Sequence, residues 1–336
     1  MLKNVNGFWE GRAVLVTGAG GYTGSALVKR LAAEGARVRA FVRRNGSRRP
    51  LPEGVEPFEG NLAVPADCER ATRGIDTVFN VAAVFRRVGG GRSEMEAVHV
   101  GATESLLRAA KEAGCRRFVH TSTMGVHGHV EESPGDEESP YSPGDDYQET
   151  KLEGELLARR LAPELGVPLA VVRPCGIYGP GDTRFLKLVR PIDRGLFLML
   201  GRGTIHMRLT YIHDLVDGFL LAGQKDEAVG EVFLVGEDRS IALRDLAKVI
   251  AGLLRVKAPR MRIPVWPVYA AGWLCELLCA PFGIEPPLHR RRVAFFTKNR
   301  SFRVDKARRE LGYEPKVSAE EGFRRVIEWY RAENLL

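Results

Sequence analysis

The 336 residues carry 50 Lys and Arg against 42 Asp and Glu, a formal net charge of +8, with 44% hydrophobic and 27% charged residues. This is globular composition with chain enough for a large core and two lobes. The basic charge is spread along the chain without a Lys/Arg run interleaved with aromatics, so nucleic acid is excluded as the expected partner.

Five cysteines, Cys68, Cys115, Cys175, Cys275 and Cys279, are an odd number without paired metal spacing. They read as reduced thiols, which predicts a reducing, cytoplasmic compartment and no metal site. Residues 1–11 lack the apolar centre of a signal peptide. No stretch reaches the ~18 uninterrupted apolar residues of a spanning helix.

In chain order, residues 12–17 predict a first strand. It runs into Gly18-Ala19-Gly20-Gly21-Tyr22-Thr23-Gly24, and a helix follows over 25–35. A strand, a glycine turn and a helix make a phosphate cradle. Gly18 permits the turn, Gly21 lets a pyrophosphate approach the backbone, Gly24 lets helix and strand pack closely, and the helix start offers N–H groups to an anion. Residues 36–42 predict the second strand, with Arg43 and Arg44 at its end, and 55–60 the third, followed by Asn61 and Leu62. A helix over 67–73 precedes an almost wholly apolar strand over 75–82, the pattern of a strand buried on both faces. A long amphipathic helix over 94–113 and a strand over 117–121 follow, the strand ending in Thr121-Ser122-Thr123. Alternating strands and helices predict an α/β fold with a doubly wound parallel sheet, its strand ends and motifs along one edge.

Residues 130–146 break the rhythm with seven acidic residues and no basic one, an acidic loop placed to border a site. A helix then carries Tyr147 and Lys151 to about residue 161, and 169–173 is a strand. Past Pro180 come helices over 183–195, 214–222 and 243–254, short extended pieces over 208–212 and 232–235, a densely apolar stretch over 263–282, and a final helix over 319–331. The division read from this is a dinucleotide-binding domain of 1–178 plus about 207–240, and a smaller, mostly helical substrate lobe of 179–206 plus 241–336.

Tyr147 and Lys151, at i and i+4, share one helix face. A phenol near pKa 10 is a poor acid–base group at neutral pH, and a neighbouring cation brings it toward working range. Thr123, at a strand end, is placed by topology to hold a substrate oxygen.

This ordered set resembles the extended branch of the short-chain dehydrogenase/reductase superfamily. The resemblance runs through Thr17 to Gly24, Thr121-Ser122-Thr123, Tyr147 with Lys151, Arg173-Pro174-Cys175-Gly176-Ile177-Tyr178-Gly179-Pro180 and Tyr211-Ile212-His213-Asp214-Leu215, then into the tail at Leu311-Gly312-Tyr313-Glu314-Pro315. It implies an NAD(P)-dependent enzyme. Tyr147 would be the general acid/base, Lys151 would hold the nicotinamide ribose, and Thr123 would orient the substrate, with Ser122 a lesser candidate. Gly18, Gly21 and Gly24, with Tyr22 and Thr23, would cradle the pyrophosphate. Asn61, Leu62, Ala82 and Ala83 would run along the adenosine, and Pro174 and Ile177 beside the nicotinamide. Three positions depart from the family: Asn61 replaces an aspartate, His99 an asparagine that shapes the helix of the catalytic pair, and His127 a frequent tyrosine expected to face the substrate together with Tyr178. For His99 a satisfied core histidine is the preferred reading over a substitute for that asparagine.

The cofactor expected is NADP(H) rather than NAD(H), because the end of the second strand holds Arg43 and Arg44 and no carboxylate, and arginine suits a 2′-phosphate. Residues 286–303 and the tail resemble 3β-hydroxysteroid and sterol dehydrogenases, and the first lobe also resembles dihydroflavonol reductases. Gly176 stands where sugar-nucleotide enzymes commonly have asparagine. These imply a ketone/alcohol oxidoreductase for a bulky apolar, sterol- or lipid-like substrate. A nucleotide-sugar epimerase/dehydratase is the alternative, favoured by Arg208, which would grip a diphosphate, against a simple ion pair with Asp214 or Asp217. The 263–282 stretch, followed by Arg290, Arg291 and Arg292, reads as a buried helix of the substrate lobe in preference to a peripheral contact with an anionic membrane. By family analogy, helices over 94–113 and 147–161 would form a homodimer.

Overall fold

The computed structural model describes residues 7–44, 49–85, 91–279, 293 and 296–336. Seven strands form one parallel sheet in the order β3-β2-β1-β4-β5-β6-β11. They are β1 (Ala13–Thr17), β2 (Arg37–Arg43), β3 (Glu56–Gly60), β4 (Thr77–Asn80), β5 (Arg117–Thr121), β6 (Leu169–Pro174) and β11 (Val232–Val235). Short strands β7 (Gly176–Tyr178), β8 (Met199–Leu200), β9 (His206–Met207), β10 (Leu209–Tyr211), β12 (Ile241–Ala242) and β13 (Arg262–Ile263) pair outside it.

The apolar runs of the sequence become central strands because both faces are covered. Val14 and Val16 of β1 pack with Leu27 and Val28 of α1 (Tyr22–Ala33), while Leu15 packs on the other face with Leu106 and Leu107. Each such fully buried side chain contributes about 1.5–3 kcal/mol relative to exposure. Remaining helices are α2 (Pro65–Thr72), α3 (Arg92–Glu96), α4 (Ala102–Glu112), α5 (Asp146–Leu165), α6 (Leu186–Asp193), α7 (Ile212–Gln224), α8 (Leu243–Leu254), α9 (Val265–Cys279), α10 (Asp305–Leu311) and α11 (Ala319–Ala332). A separate apolar cluster joins α6, α8 and α11 through Val189, Leu246, Ile250, Phe323 and Tyr330. Strand order reverses between β1 and β4, and the C-terminal strand ends beside that reversal are where an open α/β sheet accepts a ligand.

Three expectations differ from the fold. The continuous helix over 94–113 is interrupted by a π-helical turn, Ala97–Gly101, between α3 and α4. The extra residue brings the His99 carbonyl against Gly154 of α5, where a Cβ would overlap it. The boundary after residue 240 is not kept by α10, because Ala307, Leu311 and Tyr313 pack into the cluster over the sheet. The buried helix expected over 263–282 is exposed where it is described. In α9 only Gly272 is buried, and Trp266 is 75% exposed. Arg290, Arg291 and Arg292 lie outside the described residues.

Candidate active site

The glycine turn closes β1 onto α1. Gly18 has φ +66° and a Cβ there would stand 2.8 Å from the Ala82 Cα, so the turn can approach the end of β4 only without a side chain. A Cβ on Gly24 would overlap the Gly18 carbonyl oxygen. Gly21 is the N-cap of α1 and offers no capping side chain, so the first-turn N–H groups remain for an anion. These residues open into a cavity of about 1730 Å³ that runs along the strand ends.

That cavity gathers all the expected cofactor residues, Gly18, Gly21, Tyr22, Thr23, Gly24, Arg43, Arg44, Asn61, Leu62, Ala82, Ala83, Ser122, Tyr147, Lys151, Pro174 and Ile177, together with Thr123. Arg43 and Arg44 are exposed at the end of β2, with Arg43 in register with Gly60. Asn61 Oδ1 accepts from the Ala63 N–H at 3.0 Å, which leaves its Nδ2 to donate to a ligand. Ser122 is buried and lies beside Glu155, beneath the site.

Thr123 Oγ1 accepts the Gly125 N–H at 3.1 Å and caps a short 3-10 turn, Met124–His127. Its own O–H thus remains a donor toward the cavity. Lys151 Nζ donates to the Thr121 carbonyl. Burial lowers the Lys151 ammonium to about 8, opposed by Glu155. Tyr147 departs from expectation. Its phenol is pushed up to about 12 by burial, and the cation that acts against this is Arg184, while Asp145 raises it. The Lys151 charge, turned to the Thr121 carbonyl, does not offset the loss of solvent around the phenol.

A chain of buried hydrogen bonds ties the turn to the helix that carries this pair. Thr17 Oγ1 donates to Asn80 Oδ1 at 2.9 Å and accepts the Val81 and Ala82 N–H groups at 3.0 Å each. Asn80 Nδ2 donates to Thr103 Oγ1 at 3.1 Å, and that hydroxyl donates to the His99 carbonyl at 2.7 Å. His99 Nε2 accepts the Val84 N–H at 3.0 Å. The imidazole is neutral, lowered to about 3 by burial and by Lys151, so its Nδ1–H donates to Thr150 Oγ1 at 2.8 Å. The His99 ring meets the Tyr147 ring edge-on at 5.5 Å. His99 is therefore a satisfied buried histidine, and its partners are the helix of the pair and the strand end.

Three expected substrate residues lie away from the cavity lining. His127 is 1% exposed; its Nε2 accepts from Arg173 Nη1 at 2.9 Å, and Nδ1 donates to the Pro140 carbonyl at 3.3 Å. Tyr178 is fully buried, donating to Glu237 Oε1 at 2.5 Å and stacking on Phe323. Arg208 turns inward to the Glu237 carbonyl at 2.6 Å, and neither Asp214 nor Asp217 is its partner. A buried carboxyl and its backbone carbonyl thus consume both groups. Phe85, Arg184, Tyr269, Glu276, Lys298 and Arg300 line the cavity without having been expected there. Arg184, held to Asp182 at 2.7 Å and to the Ile177 carbonyl at 3.0 Å, had no signal beyond following the Gly179-Pro180 turn.

The residues present fit a nicotinamide dinucleotide. The close-packed glycines exclude side chains along the turn, and the uncapped helix start offers donors to a diphosphate. The model of the NAD dependent epimerase/dehydratase family matches residues 14–236. The 3 beta-hydroxysteroid dehydrogenase/Delta 5-->4-isomerase of Mycobacterium tuberculosis (strain CDC 1551 / Oshkosh) is 33% identical, covering 94% of this chain and 90% of that one. Among solved structures, gox2253 superposes with TM-score 0.80 at 29% identity, covering 96% of this chain and 98% of its own. MoeE5 in complex with UDP-glucose and NAD superposes with TM-score 0.73 at 26% identity, covering 96% of this chain and 99% of its own. Matched through the sheet from β1 to β11 and related over nine-tenths of its length, the chain belongs to the NAD dependent epimerase/dehydratase family, as a dehydrogenase of the extended short-chain type.

Proposed function

We propose that this enzyme interconverts a ketone and a secondary alcohol on a bulky apolar, sterol-like substrate, using NADP(H) in preference to NAD(H). The observation that carries the reaction is the meeting of Thr123, Tyr147 and Lys151 on one cavity with the glycine turn. A bound nicotinamide dinucleotide supplies the hydride. Thr123 donates its O–H to the carbonyl oxygen, and Tyr147, protonated at neutral pH, gives that oxygen its proton in the direction of reduction. Lys151 holds the nicotinamide ribose hydroxyls, and α1 receives the pyrophosphate on its first N–H groups. Arg43, exposed on the cavity, takes the 2′-phosphate. The relative named for 3 beta-hydroxysteroid dehydrogenase activity supports the sterol-like substrate.

A nucleotide sugar is the second reading. It loses Arg208 as a diphosphate contact but keeps Lys298 and Arg300, which line the same cavity. Titration with both cofactors tests the first reading. NADPH binds at least tenfold tighter than NADH, and Arg43→Ala costs NADPH about 1.5–3 kcal/mol, the range for a hydrogen bond to a charged group, with little change for NADH. Tighter NADH binding, untouched by Arg43→Ala, contradicts it. Thermal stabilisation by UDP alone would favour the nucleotide-sugar reading.

A further inference from the structure

Among the described residues, six of the fourteen exposed large apolar side chains belong to one helix. Trp266, Tyr269, Trp273, Leu274, Leu277 and Leu278 all belong to α9 and are 48–75% exposed. Leu196 and Met261, 70% and 65% exposed, continue the patch. The Met199 N–H donates to the Met261 carbonyl at 3.1 Å, and β13 pairs with β8, which fixes these segments beside the start of α9. Among the described residues α9 buries only Gly272, and an apolar surface of this kind marks a docking face.

Charge identifies the occupant. Residues 255–275 contain Arg255, Lys257, Arg260 and Arg262 and not one acidic residue. All four cations are exposed. Tryptophan and tyrosine with aliphatic neighbours and a cationic rim are the chemistry of the headgroup boundary of an anionic bilayer. No helix among the described residues is long and apolar enough to span. The same helix sends Tyr269 and Glu276, seven residues apart and so on one face, to the lining of the cavity.

We propose that α9, with the Leu196 and Met261 segments, docks flat on an anionic phospholipid bilayer and opens the cavity toward it, so that a lipid-borne substrate enters past Tyr269 and Glu276. Docking itself stands on exposure and charge. Only the delivery of substrate rests on the apolar-substrate reading.

The test is co-sedimentation of the full chain with vesicles of phosphatidylcholine containing phosphatidylglycerol, against vesicles of phosphatidylcholine alone. The expected result is pelleting with the anionic vesicles at low salt, reduced at least tenfold at high salt. A blue shift in tryptophan emission should accompany it. Trp266→Ser/Trp273→Ser and, separately, Lys257→Glu/Arg260→Glu should each lower vesicle affinity at least tenfold, with melting temperature and turnover of a water-soluble ketone retained. A wild-type protein left in the supernatant on anionic vesicles at low salt overturns the proposal. So does a soluble dimer that Trp266→Ser/Trp273→Ser converts to monomer, because a second copy then covers the patch. Vesicle binding without turnover of any apolar ketone counts against the proposed reaction and leaves docking standing.

Discussion

Tyr147 and Lys151 stand one helical turn apart, yet different neighbours govern them. Burial raises the phenol to about 12, and Arg184 is the cation that works against it. The phenol is therefore neutral at pH 7; in the proposed reaction it holds the proton that ketone reduction needs, whereas alcohol oxidation needs the phenolate. Arg184→Gln removes a charge that favours the phenolate, so the phenol rises further. The expected outcome is an oxidation pH profile whose rising limb moves to higher pH, with reduction at pH 7 retained. Overlapping profiles for wild type and variant would show that Arg184 does not act on Tyr147. The meeting of Thr123, Tyr147 and Lys151 on one cavity was legible as a sequence pattern, because Tyr147 and Lys151 have fixed helical spacing and Thr123 ends a strand. Tyr178, His127 and Arg208 were not, because their fate depends on Glu237 and Arg173, partners brought close only by the tertiary fold.

At the scale of elements, the sheet was readable for a simple reason: strands buried on both faces are apolar throughout, and β1, β4 and β11 have no exposed residue to blur the signal. The π turn at Ala97–Gly101 was not readable, since one inserted residue leaves the 3.6-residue pattern on either side intact. Its consequence is the contact between the His99 carbonyl and Gly154, which sets how closely α5 approaches α4. Gly154→Ala should force these helices apart. A loss of about 1–3 kcal/mol in stability is expected, as for an overpacked core. Turnover should also fall, because α5 carries both Tyr147 and Lys151, and chemical denaturation with a kcat measurement checks both. The exposure of α9 was likewise hidden, since apolar composition is the same for a helix inside a core and one on a membrane face.

Across the whole molecule, the buried histidines give stability one sense of pH dependence, opposed by Glu237, which burial pushes up to about 7. His99, His120 and His127 are all held below the ordinary histidine value, by burial first in each case. The unfolded chain thus binds more protons than the native one once pH drops below about 6.5. The histidine contribution is full above that value and is lost progressively as pH falls. Glu155, lowered by Arg173 against the effect of burial, extends the same loss below about 4.5. From pH 6.5 toward pH 4 the melting temperature of wild type should fall more, or rise less, than that of His99→Asn, which lacks one such group; parallel curves would mean that His99 titrates normally in the native state. The central claim is that a cavity organised by the glycine turn carries out proton and hydride transfer with Tyr147 as the proton group. The most direct measurement is turnover of an apolar ketone with NADPH by wild type and Tyr147→Phe, with the Kd for NADPH determined for both. The prediction is a loss of about 10²–10⁴ in kcat, the range for general acid catalysis, with NADPH affinity retained. Turnover by Tyr147→Phe equal to wild type would contradict it.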